Sequence, residues 1–221
     1  MKLVYGYMEH IISFEAGYAS ELIIENKKMF RELVNSLVNQ IEGHRGDAVL
    51  SIDDKPVEMS KYADISMQFA PFEFNRKSLL TKLYSYLERE AVSPDMFLKT
   101  TDIITNLELF LSDLSDDLPF EIECKKLAIG NIVRAVSPEF VSTEEGSPES
   151  ILNYMEIIRE LDKDKLFIMV NMRAYFDDID MQSFIDTTCL HDFKLLLLES
   201  ASYERLKNTR RYTVDKDLCE F

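Results

Sequence analysis

Tryptophan is absent from this 221-residue chain, and lysine and arginine are outnumbered by aspartate and glutamate, 25 to 40. The formal net charge of −15 argues against wholesale adhesion to nucleic acid, so a phosphate-binding surface would have to be a local cluster of cations. Cysteine is scarce. Cys124, Cys189 and Cys219 are odd in number, far apart and without CxxC spacing. That pattern gives no sign of a disulfide framework and matches no thiolate metal site, and it points to a reducing cytoplasm. Long apolar runs are missing too: the longest are about five residues, too short to span a bilayer. Residues 1–20 carry Glu9, His10 and Glu15 and have no clean apolar segment of a signal peptide, so no membrane association is expected. The glycine loops that hold phosphate are lacking, since no stretch reads GxxxxGK[ST] or GxGxxG. His10, His44 and His191 show no metal spacing, and no serine or cysteine sits in a nucleophile elbow.

Two short apolar runs are present, Leu166-Phe167-Ile168-Met169-Val170 and Leu195-Leu196-Leu197-Leu198, with a helix-like stretch between them. Continuous runs of this length, ringed by polar residues, are the pattern of strands buried on both faces, and two of them joined through a helix make a βαβ unit. Ligand sites in such sheets lie at the carboxyl ends of the strands, here Asn171 and Glu199-Ser200. Near the N-terminus, Leu3, Tyr5 and Tyr7 alternate with Val4, Gly6 and Met8, and Ile11-Ile12 and Leu22-Ile23-Ile24 follow. Asn26 reads as the cap of a helix whose stripe is Met29, Phe30, Leu33, Val34, Leu37, Val38 and Ile41, with Gly43 placed to end it. Ala48 to Ile52 reads as a strand, Asp53 to Pro56 as a turn, and Tyr212-Thr213-Val214 as a last edge strand.

From about residue 60 glycine disappears until Gly130 and the pattern becomes helical. Asn75 and Ser93-Pro94 read as helix starts, the first followed by Leu79, Leu80, Leu83, Tyr84 and Leu87, the second by Ile103, Ile104, Leu107, Phe110, Leu111 and Leu114. A third helix is expected from about Glu123 to Ala135. Ser142 to Pro148 reads as a polar linker, and Ser147-Pro148 opens a further helix. The expected architecture is α/β, with a discontinuous α/β part over 1–62 and 147–221 and an inserted helical part over 63–146.

Three groups carry candidate chemistry. Asp177-Asp178-x-Asp180 could hold Mg²⁺ or could simply cap and charge a helix N-terminus. Asp113, Asp116, Asp117, Glu121 and Glu123 form the densest acidic cluster, at a corner between helices. Oxygen ligands there suit Ca²⁺, but the cluster fails the EF-hand template and equally suits a solvated turn. Lys125-Lys126 with Arg134, Lys77 with Lys82, and Lys207 with Arg210-Arg211 are cation groups that could neutralise phosphates or be ordinary surface charges.

Lys165 to Asn171, then Ala174-Tyr175-Phe176, then Leu195 to Glu199, then Tyr212 with Asp215 and Asp217, form an ordered pattern. It resembles the small adaptation protein of type II-A CRISPR systems, a ring-forming binder of DNA ends. The resemblance implies a P-loop-like α/β head without a phosphate-binding loop, and an inserted helical leg. It implies a homotetrameric ring around double-stranded DNA ends, no catalysis, no bound nucleotide, and structural Ca²⁺ near the leg. It places that calcium where Asp113 to Glu123 fall, and it makes Lys77, Lys82, Lys125, Lys126 and Arg134 candidates for the DNA-facing surface. The implied partners are the CRISPR integrase complex and effector nuclease during spacer acquisition. The chain departs from the pattern at Met172-Arg173, where small residues are expected, and at Ser200, where proline is expected. The rival readings are a nucleotide-binding phosphotransferase on the same βαβ core and a plain protein-interaction module.

Overall fold

The computed structural model describes the whole chain except residues 117, 121, 123–125, 142–145 and 163–164. It divides into two compact units, one of Met1–Phe74 with Ser142–Phe221, the head, and one of Asn75–Val141, the helical unit. The expected borders at 62/63 and 146/147 therefore shift to 74/75 and 141/142. The reason is local. Ala63–Ser66 is a strand of the parallel sheet, and Phe69, Phe72 and Phe74, all buried, stay with the head as an aromatic group that includes Tyr154.

The head contains β1 (Lys2–Tyr5), β2 (Ile12–Ser13), β3 (Ala19–Ile24), α1 (Lys27–Ile41), β4 (Ala48–Ile52), β5 (Lys55–Val57), α2 (Met59–Tyr62) and β6 (Ala63–Ser66). After the excursion through the helical unit come α6 (Pro148–Leu161), β7 (Leu166–Val170), a 3-10 turn (Met172–Ala174), α7 (Asp178–Leu190), β8 (Lys194–Glu199) and β9 (Thr209–Val214). Two sheets result. One is parallel with order β6-β7-β8-β3-β9, and the other is antiparallel with order β2-β1-β4-β5. The β7–α7–β8 crossover is the expected βαβ unit, with Phe167 opposite Leu195 and Val170 opposite Leu198.

Strand periodicity splits the apolar runs between two layers. Leu166, Ile168, Val170, Leu196, Leu198, Leu22 and Ile24 join Met29, Leu33 and Leu37 of α1 and Leu3, Tyr5 and Leu50 of the antiparallel sheet in one core. Phe167, Met169, Leu195 and Leu197 point to the opposite face and are equally buried. Every residue of β7 is enclosed, so each large aliphatic side chain there contributes roughly 1.5–3 kcal/mol of hydrophobic stabilisation. Asn26 caps α1 as expected, its side chain accepting from Met29 N–H at 3.1 Å. Gly43 follows that helix at φ +89°, a backbone that side chains disfavour, and its N–H closes on the Gln40 carbonyl at 3.2 Å. Gly46 answers a different demand. A Cβ there would lie 2.6 Å from both Ser36 Oγ and Gln40 Oε1, the groups that tie residues 47–48 to α1.

The helical unit holds α3 (Lys77–Ala91), α4 (Phe97–Ser115) and α5 (Ile129–Val136). Asn75 does not cap α3, because Arg76 occupies that position. Instead Asn75 forms a two-way clasp with Phe140: its Nδ2 donates to the carbonyl and its Oδ1 accepts from the N–H, both at 3.0 Å. Thr100 Oγ1 donates to the Ala91 carbonyl at 2.7 Å, satisfying one orphan acceptor at the end of α3. Gly130 lets α5 approach α3: a Cβ would fall 2.5 Å from Glu88 Oε1. The third helix begins at Ile129, and of the expected start, residues 123–125 lie outside the described residues. Among the described residues, no helix is long and apolar enough to cross a membrane.

Candidate nucleic-acid interface

The candidate residues of the helical unit are set by its helix ends. Asp113 is in the last turn of α4 and Asp116 is its C-cap, both exposed, while Asp117, Glu121 and Glu123 lie outside the described residues. Among the described residues, no group of three or more His, Cys, Asp or Glu is arranged to hold a metal ion. The polarity of α4 is nonetheless unusual. No basic residue occupies its last turn and no acidic residue its first, where Lys99 stands instead. Carboxylates at a helix C-terminus and cations at an N-terminus oppose the macrodipole, typically by about 0.3–1 kcal/mol each.

The first turn of α3 shows the same inversion. Lys77 is its exposed first residue, Arg76, which has an interaction partner, precedes it, no acidic residue follows in that turn, and among the described residues no side chain caps the free N–H groups. Lys82 is half-buried and has an interaction partner. Five positions along a helix place it about 140° around the axis from Lys77, so the two do not form one face. Arg134 Nη2 stands 2.8 Å from Glu88 Oε1, a charge contact without hydrogen-bond alignment. Its charge is thus partly met within the unit. Lys126 is exposed, and Lys125 lies outside the described residues.

The third cation group belongs to the head, where Lys207 is exposed and the two arginines are spent on the head's own acids. Arg210 makes a bidentate pair with Glu15, with both contacts at 2.6 Å, and Arg211 Nε donates to Glu21 Oε2 at 2.8 Å. In the Asp177 cluster one acid caps α7 and the next pairs with an arginine. Asp177 Oδ1 accepts from the N–H groups of Ile179 and Asp180 at 2.9 Å, and Asp178 Oδ1 accepts from Arg173 Nη2 at 2.7 Å.

At the carboxyl edge of the parallel sheet the joint between β3 and α1 is only Glu25-Asn26, and Asn26 closes it by capping α1 and donating to the Lys216 carbonyl at 2.9 Å. Asn171, after β7, is left-handed at φ +54°. Its N–H donates to the Leu198 carbonyl at 2.9 Å and its Oδ1 accepts from Ser200 N–H at 2.8 Å, so it ties the ends of β7 and β8 together. Sequence reasoning missed the group beneath this edge. Arg173 is 4% exposed and donates to Glu21 Oε1 at 2.8 Å as well as to Asp178. The available signals were Glu21 inside an apolar strand and Arg173 where small residues were expected.

The crystal structure of Stu0660 of Streptococcus thermophilus superposes with a TM-score of 0.58, covering 91% of this chain and 69% of that one at 14% identity, a likeness of fold. No curated protein matches the chain. A family model described as CRISPR-associated protein (Cas_Csn2) matches residues 40–218, which run from the end of α1 through the helical unit to beyond β9. The chain belongs to the CRISPR-associated Cas_Csn2 family.

Proposed function

We propose that this chain assembles as a homotetrameric ring that binds double-stranded DNA ends without sequence preference and without catalysis. The ring serves spacer acquisition beside the CRISPR integrase complex and effector nuclease of a type II-A system. The observation that carries the reading is the reversed polarity of the leg helices. Lys77 places positive charge at the N-terminus of α3, and Asp113 and Asp116 concentrate negative charge at the C-terminus of α4. A backbone phosphate at the first and a Ca²⁺ ion at the second would each remove a cost the isolated chain bears. Asp113 and Asp116, with Asp117, Glu121 and Glu123, are the proposed calcium acids, and Lys77, Lys82, Lys125, Lys126 and Arg134 the proposed DNA-facing set. Assembly is supported by α4, whose Phe97, Leu98, Phe110 and Leu114 are all more than half exposed. The non-enzymatic reading is supported by the closed Glu25-Asn26 joint, which offers a triphosphate few converging N–H groups.

Gel shifts with linear and covalently closed duplex, with Ca²⁺ and with chelator, test this, alongside light scattering. Linear duplex should bind, an affinity falling steeply with salt should mark phosphate contacts, and the circle should compete poorly because a closed ring threads from an end. Lys77→Glu should weaken binding uniformly across sequences. Equal binding of both DNA forms ends the threading model, a monomer at micromolar concentration ends the ring, and indifference to chelator ends the calcium role. Saturable ATP binding would favour the phosphotransferase instead.

A further inference from the structure

Between β8 and β9 the chain crosses from residue 200 to residue 206 with no regular structure, yet it is pinned along its length. Ser200 N–H donates to Asn171 Oδ1 at 2.8 Å, the Tyr203 ring lies 4.8 Å from the Arg173 guanidinium carbon, and the Leu206 carbonyl accepts from Thr209 Oγ1 at 2.7 Å. The Glu204 carbonyl accepts from Arg173 Nη1 at 2.8 Å and from Arg211 Nη2 at 3.0 Å. This segment is a strap held down by two arginines that are themselves held by acids.

The charges beneath the strap do not come out even. Glu21 is fully buried and uses both oxygens, one on Arg173 and one on Arg211, each at 2.8 Å. Arg173 gives its remaining terminal nitrogen to Asp178. Two cations and two carboxylates thus pair off: Arg173 from the turn after β7, Arg211 from β9, Glu21 from β3 and Asp178 from α7. Glu199, at the end of β8 and also fully buried, is the fifth charge-bearing side chain. Among the described residues, its Oε1 accepts the Arg173 peptide N–H at 3.2 Å, with the Met172 N–H also acting on the carboxyl, and its Oε2 is buried with no hydrogen-bond partner. Tyr203, on the strap, is the other titratable group facing it.

We propose that Glu199 is a proton-held fastener of the strap. Protonated, it completes a charge-neutral cluster that the strap can cover; ionised, it leaves a buried negative charge without a cation and the strap lifts to let water reach it. Burial pushes the Glu199 carboxyl from its ordinary 4.5 up to about 8, with the Glu21 charge adding and the Arg173 N–H, the Arg173 charge and the Met172 N–H opposing. The closed strap therefore holds a proton that the open one releases. Closure is fully favoured below about pH 4.5 and is weakened progressively as pH rises toward about 8, beyond which both states are ionised and the dependence ends.

Amide hydrogen exchange on the full chain tests this, with rates corrected for intrinsic base catalysis. Strap opening should rise by roughly tenfold per pH unit between about pH 5 and 8 and level off above that. Glu199→Gln, a neutral mimic of the protonated acid, should keep the Ser200 amide, which donates to Asn171 Oδ1, protected across the same range. Carbon NMR of glutamate carboxyls in the native chain gives an answer that needs no variant: one glutamate should titrate far above the others, near pH 8. The proposal is overturned if strap exchange shows no residual pH dependence, if Glu199→Gln retains the native dependence, or if every glutamate carboxyl has titrated by about pH 6.

Discussion

The head and the helical unit solve the burial problem in opposite ways. In the head, strands with large side chains are covered on both faces by the head's own helices and second sheet, and Leu22, Ile23, Ile24 and Leu195 to Leu198 are almost completely enclosed. In the helical unit, the buried residues among those described are Leu79, Thr100 and Gly130. The longest helix, α4, is rich in leucine, isoleucine and phenylalanine and leaves most of them in contact with solvent. A chain does not keep a long apolar helix exposed without consequence, because surfaces of this kind associate. The head thus encloses its apolar strands with its own elements, whereas the helical unit leaves the apolar residues of its longest helix exposed.

Removing a charge from the head should have the largest effect. Arg173→Ala strips one of two arginine partners from buried Glu21, the arginine partner from Asp178 and one of two donors from the Glu204 carbonyl, and breaking a buried pair in this way costs about 3–5 kcal/mol, measurable by urea unfolding. A loss below about 1 kcal/mol would mean that the head does not depend on its buried charges. Asn75→Ala removes both hydrogen bonds of the clasp in the helical unit and should cost about 1–2 kcal/mol, read as increased exchange at the Phe140 amide. Asp177→Ala takes away the cap of α7 and should cost roughly 1 kcal/mol by the same unfolding measurement. Phe110→Ser should change the unfolding free energy of the dilute chain by less than about 0.5 kcal/mol, since the ring is already 56% exposed, yet lower the mass seen by light scattering. If it destabilises the dilute chain instead, the contrast between the two units fails.

What could be read from the sequence follows physical scale. The β7–α7–β8 unit was legible because unbroken apolar runs admit few other interpretations, and Asn26, Gly43 and Asp177 because end signals act within a few residues. The resemblance carried by Lys165 to Asn171, Ala174 to Phe176 and Leu195 to Glu199 led to the CRISPR-associated family that the family model gives. The antiparallel sheet was harder to see as a sheet, since β2 is only Ile12–Ser13 and β5 carries Pro56. Asn75 looked like a cap, but its partner Phe140 is 65 positions away, beyond the reach of any local rule. Arg210 and Arg211 read as candidate phosphate ligands until the fold brought Glu15 and Glu21 to them across more than 180 residues. The Glu21–Arg173–Glu199 group was hidden for the same reason, since nothing in the neighbourhood of one of these residues announces the other two.

The clasp between Asn75 and Phe140 also bears on how such a chain can diversify. It brings the outgoing and returning segments of the excursion to a single point, so the ends of everything between them stay tied whatever its length. Closing a longer excursion adds only a slowly growing entropic cost, about 0.6 kcal/mol per doubling. Helices there could be extended, shortened or exchanged between relatives without disturbing the register of a single head strand. The seam at these two residues is the natural place to graft one leg onto another head.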